Sequence, residues 1–494
     1  MSIGKELKAG ALVNLFGVIG KMAAPILLVV VNRLYGTDIF GLFITANIAI
    51  EIIIAFLTSG FKDGAMIFVS RYADDEEHDN LYISLANAFT WSIGISLIVL
   101  IISIIFGDDL LHVAYKEEFN TGLSIMFKYM MLAVPFMAFE RIVLAATQGL
   151  KIMKYDAISN GWLRPIALLI TSIFFWTLEP GVLGMALAYF SSQLLLFCIS
   201  VYFYTRELSW TKLFRGFLKF KINVELLDFA IPQSINMTLN RFITGIDILM
   251  LPLFGVSPTV VGFYGAGSMI IREIRSIKMV FSTAFAPFIV RLHKEQKFEE
   301  LSHHFSKTIG WIATLAIPVI LLITIFKAQL LGIIHPDYTE NTTFMYFLLP
   351  IPYLFCSFSL AGNVVAMTGH SRLTLMNSII VASTNIVLNI FLIPPFGLIG
   401  AAIASAIAML ILNISEVVEA RIVAQTKIYI TDIVRPHLSG LAAGSFLAFA
   451  LINIPWFTST FIAQIALAGI TLSIFALGVG KDLISKVKTK LTSK

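Results

Sequence analysis

The sequence predicts an all-α polytopic membrane protein of about fourteen transmembrane helices, arranged as two parallel six-helix repeats followed by two C-terminal helices. Of its 494 residues 58% are hydrophobic and 13% charged, and mean hydropathy is +0.87, more apolar surface than one soluble core can hide. Apolar windows long enough to cross a bilayer, about 20 residues each, recur along the chain. Lys and Arg concentrate in alternate connections, the pattern of loops that stay in the cytoplasm.

The windows lie near residues 10–31, 39–60, 81–106, 124–147, 158–178, 181–204, 226–254, 260–288, 305–327, 344–368, 374–393, 397–419, 434–453 and 457–479. The first runs too long, and lacks an A-x-A-like cleavage site, for a removable signal peptide, so it is read as a retained helix. With the N-terminus inside, the cytoplasmic segments hold Lys5, Lys8, Arg71, Lys151, Lys154 and the run Arg206, Lys212, Arg215, Lys219 and Lys221. Further on they hold Arg291, Lys294, Lys297, Lys307, Arg372, Arg421, Lys427, Arg435 and the tail lysines Lys481, Lys486, Lys488, Lys490 and Lys494. The opposite side has Arg33, Lys116 and Lys327. One missed or invented crossing would scramble this alternation. Both termini are therefore expected in the cytoplasm of a multi-pass protein of the inner (plasma) membrane. The net charge of +5 and pI near 9.0 fit a face beside anionic lipid and require no nucleic acid partner.

Three correspondences at an offset of 220 divide the chain: Lys21 with Arg241, Arg71 of Phe68-Val-Ser-Arg with Arg291 of Phe288-Ile-Val-Arg, and Gly149 with Gly369. Glu179-Pro-Gly-Val-Leu-Gly184 answers Pro394-Pro-Phe-Gly-Leu-Ile-Gly400 at an offset drifting to 216. An even number of crossings per half makes the repeats parallel, related by an axis along the membrane normal. The expected lobes are 1–222 (helices 1–6 and the linker) and 223–430 (helices 7–12), with 431–494 adding helices 13–14 and a basic tail. The stretch 205–223, basic and aromatic, reads as an interfacial amphipathic linker. Two parallel halves suit alternating access about a central site near the midplane.

The stretch Ile393-Pro-Pro-Phe-Gly-Leu-Ile-Gly-Ala-Ala-Ile-Ala-Ser405, its echo at 179–192, and Ser59-Gly-Phe-Lys-Asp-Gly-Ala65 leading to Phe68-Val-Ser-Arg-Tyr72 resemble the polysaccharide-transporter branch of the MOP superfamily. That branch contains O-antigen and lipid-linked oligosaccharide flippases, with lipid II flippases and the MATE drug exporters as relatives. The resemblance covers essentially the whole chain. It implies a MATE-like fold, a cationic cavity, a role in lipopolysaccharide or other cell-surface polysaccharide biosynthesis, and glycan-assembly proteins as partners.

Charges at bilayer depth cost several kcal/mol and usually face a protein interior or a watery cavity. Lys21 stands near the centre of the first window, with Pro25 deleting the backbone bond its carbonyl would accept. Arg241 occupies the matching place in the seventh, followed by Gly245, expected to supply flexibility. Arg272 and Arg275 lie three residues apart, nearly on one helix face, and Lys278 continues the line. Arg and Lys suit phosphate, one through a planar fork and the other as a point charge. The set is expected to hold the diphosphate of a polyprenyl-linked oligosaccharide while the lipid tail stays among membrane lipids. Arg141 and Arg164 either snorkel or line the inward mouth. Glu51, Glu140, Asp247 and Glu273 are intramembrane acids that either bind a coupling proton or sodium ion or neutralise a neighbouring cation.

Other chemistries find little support. The acidic run Asp74-Asp-Glu-Glu-His-Asp79 is a solvated loop rather than a metal site, and no Gly-x-x-x-x-Gly-Lys-Ser/Thr element is present for nucleotide hydrolysis. No cofactor is expected, and Cys198 and Cys356 read as small core residues. A MATE-type drug exporter would share the fold but have an acidic cavity. A polysaccharide polymerase or ligase, the enzyme alternative, would be expected to have a large outer loop bearing His, Arg or Asp, and the outer connections 107–123 and 328–343 are short.

Overall fold

The structure is a computed structural model, which describes residues 20, 24–73, 79–115, 120–339 and 342–492. Every regular element among those residues is a helix. In chain order the helices are α1 (Ala24–Tyr35), α2 (Thr37–Tyr72), α3 (Asp79–Tyr115), α4 (Thr121–Met131), α5 (Val134–Gly149), α6 (Lys154–Ile158), α7 (Arg164–Leu178) and α8 (Val182–Glu207). A short α9 (Trp210–Leu218) precedes α10 (Val224–Leu253), α11 (Pro258–Lys294), α12 (Phe298–Ile334), α13 (Phe344–Leu348), α14 (Pro350–Ser357) and α15 (Leu360–Met367). The last are α16 (Ser371–Phe396), α17 (Leu398–Val423), α18 (Ile430–Asn453), α19 (Trp456–Ser459) and α20 (Phe461–Thr492). The chain forms two compact units, one through Gly265 and the other from Ala266 onward.

Every apolar window from the second to the last coincides with a helix or a bent helix pair. The first lies largely outside the described residues, as do Lys21, the start of the acidic run at 74–78, and Lys116. Among the described residues nine helices are long and apolar enough to cross a membrane, and eleven if each bent pair is one crossing. The remaining two windows of the fourteen are α10 and α11, 30 and 37 residues long, whose charged and amide side chains lower their hydropathy.

Within the first unit α10 runs antiparallel to α2 at very close range. A Cβ on Gly60 would run into the Ala230 carbonyl, and one on Gly245 would meet Ile48 at 2.6 Å. Small residues let helix backbones approach in this way when no hydrophobic force drives helices together in lipid. Gly245 thus serves close packing. The Gly60 amide also donates to Ser234 Oγ at 3.0 Å, and Arg71 pairs with Glu225 at 2.7 Å.

The linker helix α9 presents Trp210, Phe214 and Leu218 outward beside Lys212 and Arg215, and buries Leu213 and Gly216. It is fastened to the start of α3. The Ser209 amide donates to Tyr82 Oη at 3.0 Å, Lys219 pairs with Asp79 at 2.5 Å, and Asn87 bonds both the Lys221 carbonyl (2.9 Å) and the Asn223 amide (3.1 Å).

In the second unit α18 and α20 pack against α12 through Ala313, Ile317, Leu321, Ala443, Leu447, Ala463 and Leu467. Cys356 is buried, its Sγ 3.6 Å from the Ile274 carbonyl. Cys198 differs from expectation: it is exposed on α8, on the same outward stripe as Leu195 and Tyr202.

The two units repeat local devices as well as sequence. The α4–α5 pair is bent by 43°, and the α13–α14 run Phe344–Ser357 is bent by 43° against α15 as well. Arg71 lies over the Phe68 ring at 4.8 Å, and Arg291 over Phe288 at 5.4 Å. A Cβ on Gly184 would strike the Glu179 carbonyl, and one on Gly400 the Leu392 carbonyl. Each glycine sits just inside the first turn of its helix, where the preceding chain crosses too close for a side chain.

Candidate functional site

Charged side chains gather in one cluster in each unit. In the first, α2 supplies Glu51, α5 supplies Glu140 and Arg141, and α7 begins with Arg164. Between α6 and α7 the residues Ser159–Leu163 form a π-helical turn. Pro165 has no amide hydrogen to donate into this turn, and such a break loosens the ladder. The wider turn brings residues five apart onto one face. As a result Ser159 Oγ donates to one oxygen of Glu140 at 2.8 Å and Arg164 Nη2 to the other at 2.9 Å. Arg164 also donates to Gln193 Oε1 at 3.0 Å and to Asn160 Oδ1 at 3.3 Å.

Next to this pair Arg141 Nη2 donates to both oxygens of Glu51, at 3.1 and 3.3 Å. Their side chains are 17% and 28% exposed, more open than Glu140 at 1%. Arg241, from α10, and Arg164 add longer-range attraction to Glu51. Three arginines face two carboxylates here, so one positive charge is left over. Arg241 carries it: the residue is exposed and has no side-chain hydrogen bond or ion pair among the described residues.

Asp247, further along α10, is buried and accepts from Tyr264 Oη at 2.5 Å. Glu51, Glu140 and Asp247 are therefore each engaged by a protein partner in the first unit.

The second cluster lies on α11. Arg272 and Arg275 are half-buried, Glu273 is exposed, and Lys278 is 7% exposed. Both Arg275 and Lys278 stand over the Phe355 ring, at 5.2 and 4.5 Å from its centre. Lys278 Nζ lies 3.4 Å from Asn363 Oδ1, while the Asn363 amide nitrogen donates to Ser282 Oγ and so turns the oxygen toward the lysine. A carboxylate that the sequence reading passed over, Glu416 of α17, lies within electrostatic reach of Lys278. Its Oε2 is buried without a hydrogen-bond partner among the described residues, and the carboxylate packs over Gly362, where a Cβ would displace it. Glu419, one turn on, accepts from Asn377 at 2.7 Å. The signal that could have found these residues is the run Asn413, Glu416, Glu419 at three-residue spacing, a polar stripe on an otherwise apolar helix.

Residues 7–293 match the model of the polysaccharide biosynthesis protein family, and residues 232–391 match that of the MatE family. The fold is that of the helical membrane transporters of the MOP superfamily. With more than half of its length matched, the chain belongs to the polysaccharide biosynthesis protein family, as the resemblance at 59–72 and 393–405 implied. An uncharacterised membrane protein of Methanocaldococcus jannaschii is 24% identical over 392 residues, 76% of this chain and 88% of the relative. Among solved structures, an inward-closed lipid II flippase, MurJ, aligns over 95% of this chain and 100% of its own at 16% identity, with a TM-score of 0.71. An inward-facing MATE multidrug-resistance transporter aligns over 83% of this chain and 98% of its own at 13% identity, with a TM-score of 0.69.

Proposed function

We propose that the protein is a flippase that moves a polyprenyl-diphosphate-linked oligosaccharide from the cytoplasmic to the outer leaflet by alternating access, and that it acts as a transporter, not an enzyme. The observation that carries this reading is Arg241, a cation within a helical membrane protein whose neighbours Arg141 and Arg164 are matched to carboxylates while it, among the described residues, is not. An excess positive charge at membrane depth suits an anionic headgroup. In this reading Arg241 takes a phosphate and Arg141 and Arg164 line the cavity. Arg272, Arg275 and Lys278 serve from the second lobe, and Lys21 from the first helix. The lobes are 1–222 and 223–430, helices 13–14 stand outside the repeat, and both termini face the cytoplasm of the inner membrane. The family, and the MurJ and MATE folds, support movement of a substrate across the bilayer.

The test is depletion of the protein followed by extraction of membrane lipids. Accumulation of a polyprenyl-diphosphate glycan on the cytoplasmic leaflet is expected, with rescue by the wild type and none by Arg241→Gln. A normal lipid pool with altered dye efflux would overturn the reading in favour of drug export.

A further inference from the structure

Coupling transport to an ion requires a carboxylate able to change partners. In this structure Glu51, Glu140 and Asp247 already have a protein partner at hydrogen-bonding distance: Arg141, Arg164 with Ser159, and Tyr264 respectively. Glu416 is different. Its carboxylate meets the Gly362 backbone, but Oε2 is buried with no hydrogen-bond partner among the described residues, and one turn earlier on the same helix the carboxamide oxygen of Asn413, itself 2% exposed, is likewise buried without one. Opposite stands Lys278, buried and held only by Asn363 Oδ1 and the Phe355 ring face, with no carboxylate at ion-pairing distance among the described residues. A buried ammonium beside a half-buried carboxylate with one buried oxygen, neighbours without touching, each lack a full counter-charge, a costly arrangement unless something else fills the gap.

We infer that Glu416 is a binding site for a monovalent cation, sodium or a proton, and that Lys278 is its competitor for the same carboxylate. With the cation bound, Lys278 and the adjacent Arg275 are released toward an anionic substrate. With the cation gone, Lys278 swings to Glu416 and gives the anion up. This exchange deepens the proposed flippase reading, on which its transport meaning rests. The other ionisable groups facing the pair are Arg275 on α11, Cys356 on α14 and Glu419 on α17. Cys356 Sγ is turned to the Ile274 carbonyl, and Glu419 is occupied by Asn377. Gly362 leaves the space that the Glu416 carboxylate fills.

The experiment uses the purified full-length chain in nanodiscs and no substrate, so it fails or succeeds independently of the flippase reading. Radioactive sodium binding is measured at constant pH, and proton uptake is measured in sodium-free, weakly buffered solution. One arm should give saturable binding in the wild type, naming the ion. Glu416→Gln should lose that binding by tenfold or more, and Lys278→Met should tighten it by about tenfold, because the competing ammonium is gone. Glu416→Asp, which keeps the charge, should retain weakened binding and guards against a folding defect in the glutamine variant. Binding unchanged in Glu416→Gln, binding weakened in Lys278→Met, or no binding of either ion by the wild type would overturn the inference.

Discussion

Arg164 and Glu140 form a 2.9 Å ion pair whose acidic partner is 1% exposed, and a π-helical turn sets the arginine against it. Removing one partner of a buried pair leaves a charge without compensation, at a cost of about 3–5 kcal/mol. Glu140→Gln should therefore lower the thermal midpoint of the detergent-solubilised protein sharply. Adding Arg164→Met to the same chain should recover most of the loss, since the double variant buries no lone charge. A single variant as stable as the wild type would show the pair to be dispensable.

Arg241 should behave in the opposite way. With no hydrogen-bond or ion-pair partner among the described residues to lose, Arg241→Gln should leave the thermal midpoint nearly unchanged while abolishing clearance of the lipid-linked glycan in cells. Arg241→Lys should retain part of the activity, because a point charge still meets phosphate but lacks the bidentate fork.

Gly60 predicts a steric effect within the first unit. A larger side chain there would meet backbone instead of a movable side chain, so Gly60→Leu should cost about 1–3 kcal/mol or prevent folding. Gly94, where a Cβ would meet no described atom within 4 Å beyond its own stretch of helix, is the control. Gly94→Ala should be neutral or raise stability by about 0.5–1 kcal/mol, the helical penalty of glycine. Thermal unfolding of both variants side by side checks the contrast.

Gly184 and Gly400 sit at equivalent places in the two repeats, each facing a backbone carbonyl. Alanine at either position should therefore destabilise by similar amounts, and in the double variant the losses should add, as distant sites do. Unequal losses measured by the same unfolding assay would mean that the two turns have diverged in packing.

Asp79 and Lys219 make a short pair at 2.5 Å, yet their side chains are 47% and 58% exposed. Solvent and salt screen such pairs to about 0–1 kcal/mol. Asp79→Asn should accordingly change the midpoint little, because Tyr82 and Asn87 hold the linker independently.

The helices and their duplication were legible in the sequence because hydropathy and spacing act locally. Arg71 and Arg291 each stack on the phenylalanine three residues before, and the glycines at 184 and 400 mark the same tight turn. The partners of the buried charges were less legible. Whether Glu51 meets Arg141 depends on how α2 and α5 rotate about their axes, and an apolar pattern with many lipid-facing positions fixes that rotation weakly. The π turn at 159–163 is harder still to read, since a single proline can also end or kink a helix. Glu416 was missed because it lies toward the end of its apolar window, where an acid looks like an ordinary headgroup-level residue.

The paired 43° bends bear on bilayer thickness. A straight helix from Thr121 to Gly149 would be about 43 Å long, well beyond a hydrocarbon core of about 30 Å. Folding the rod at mid-length shortens its projection in both units alike. Lipids with longer acyl chains should therefore favour straightened forms, making chain length an external control on which shape the protein adopts.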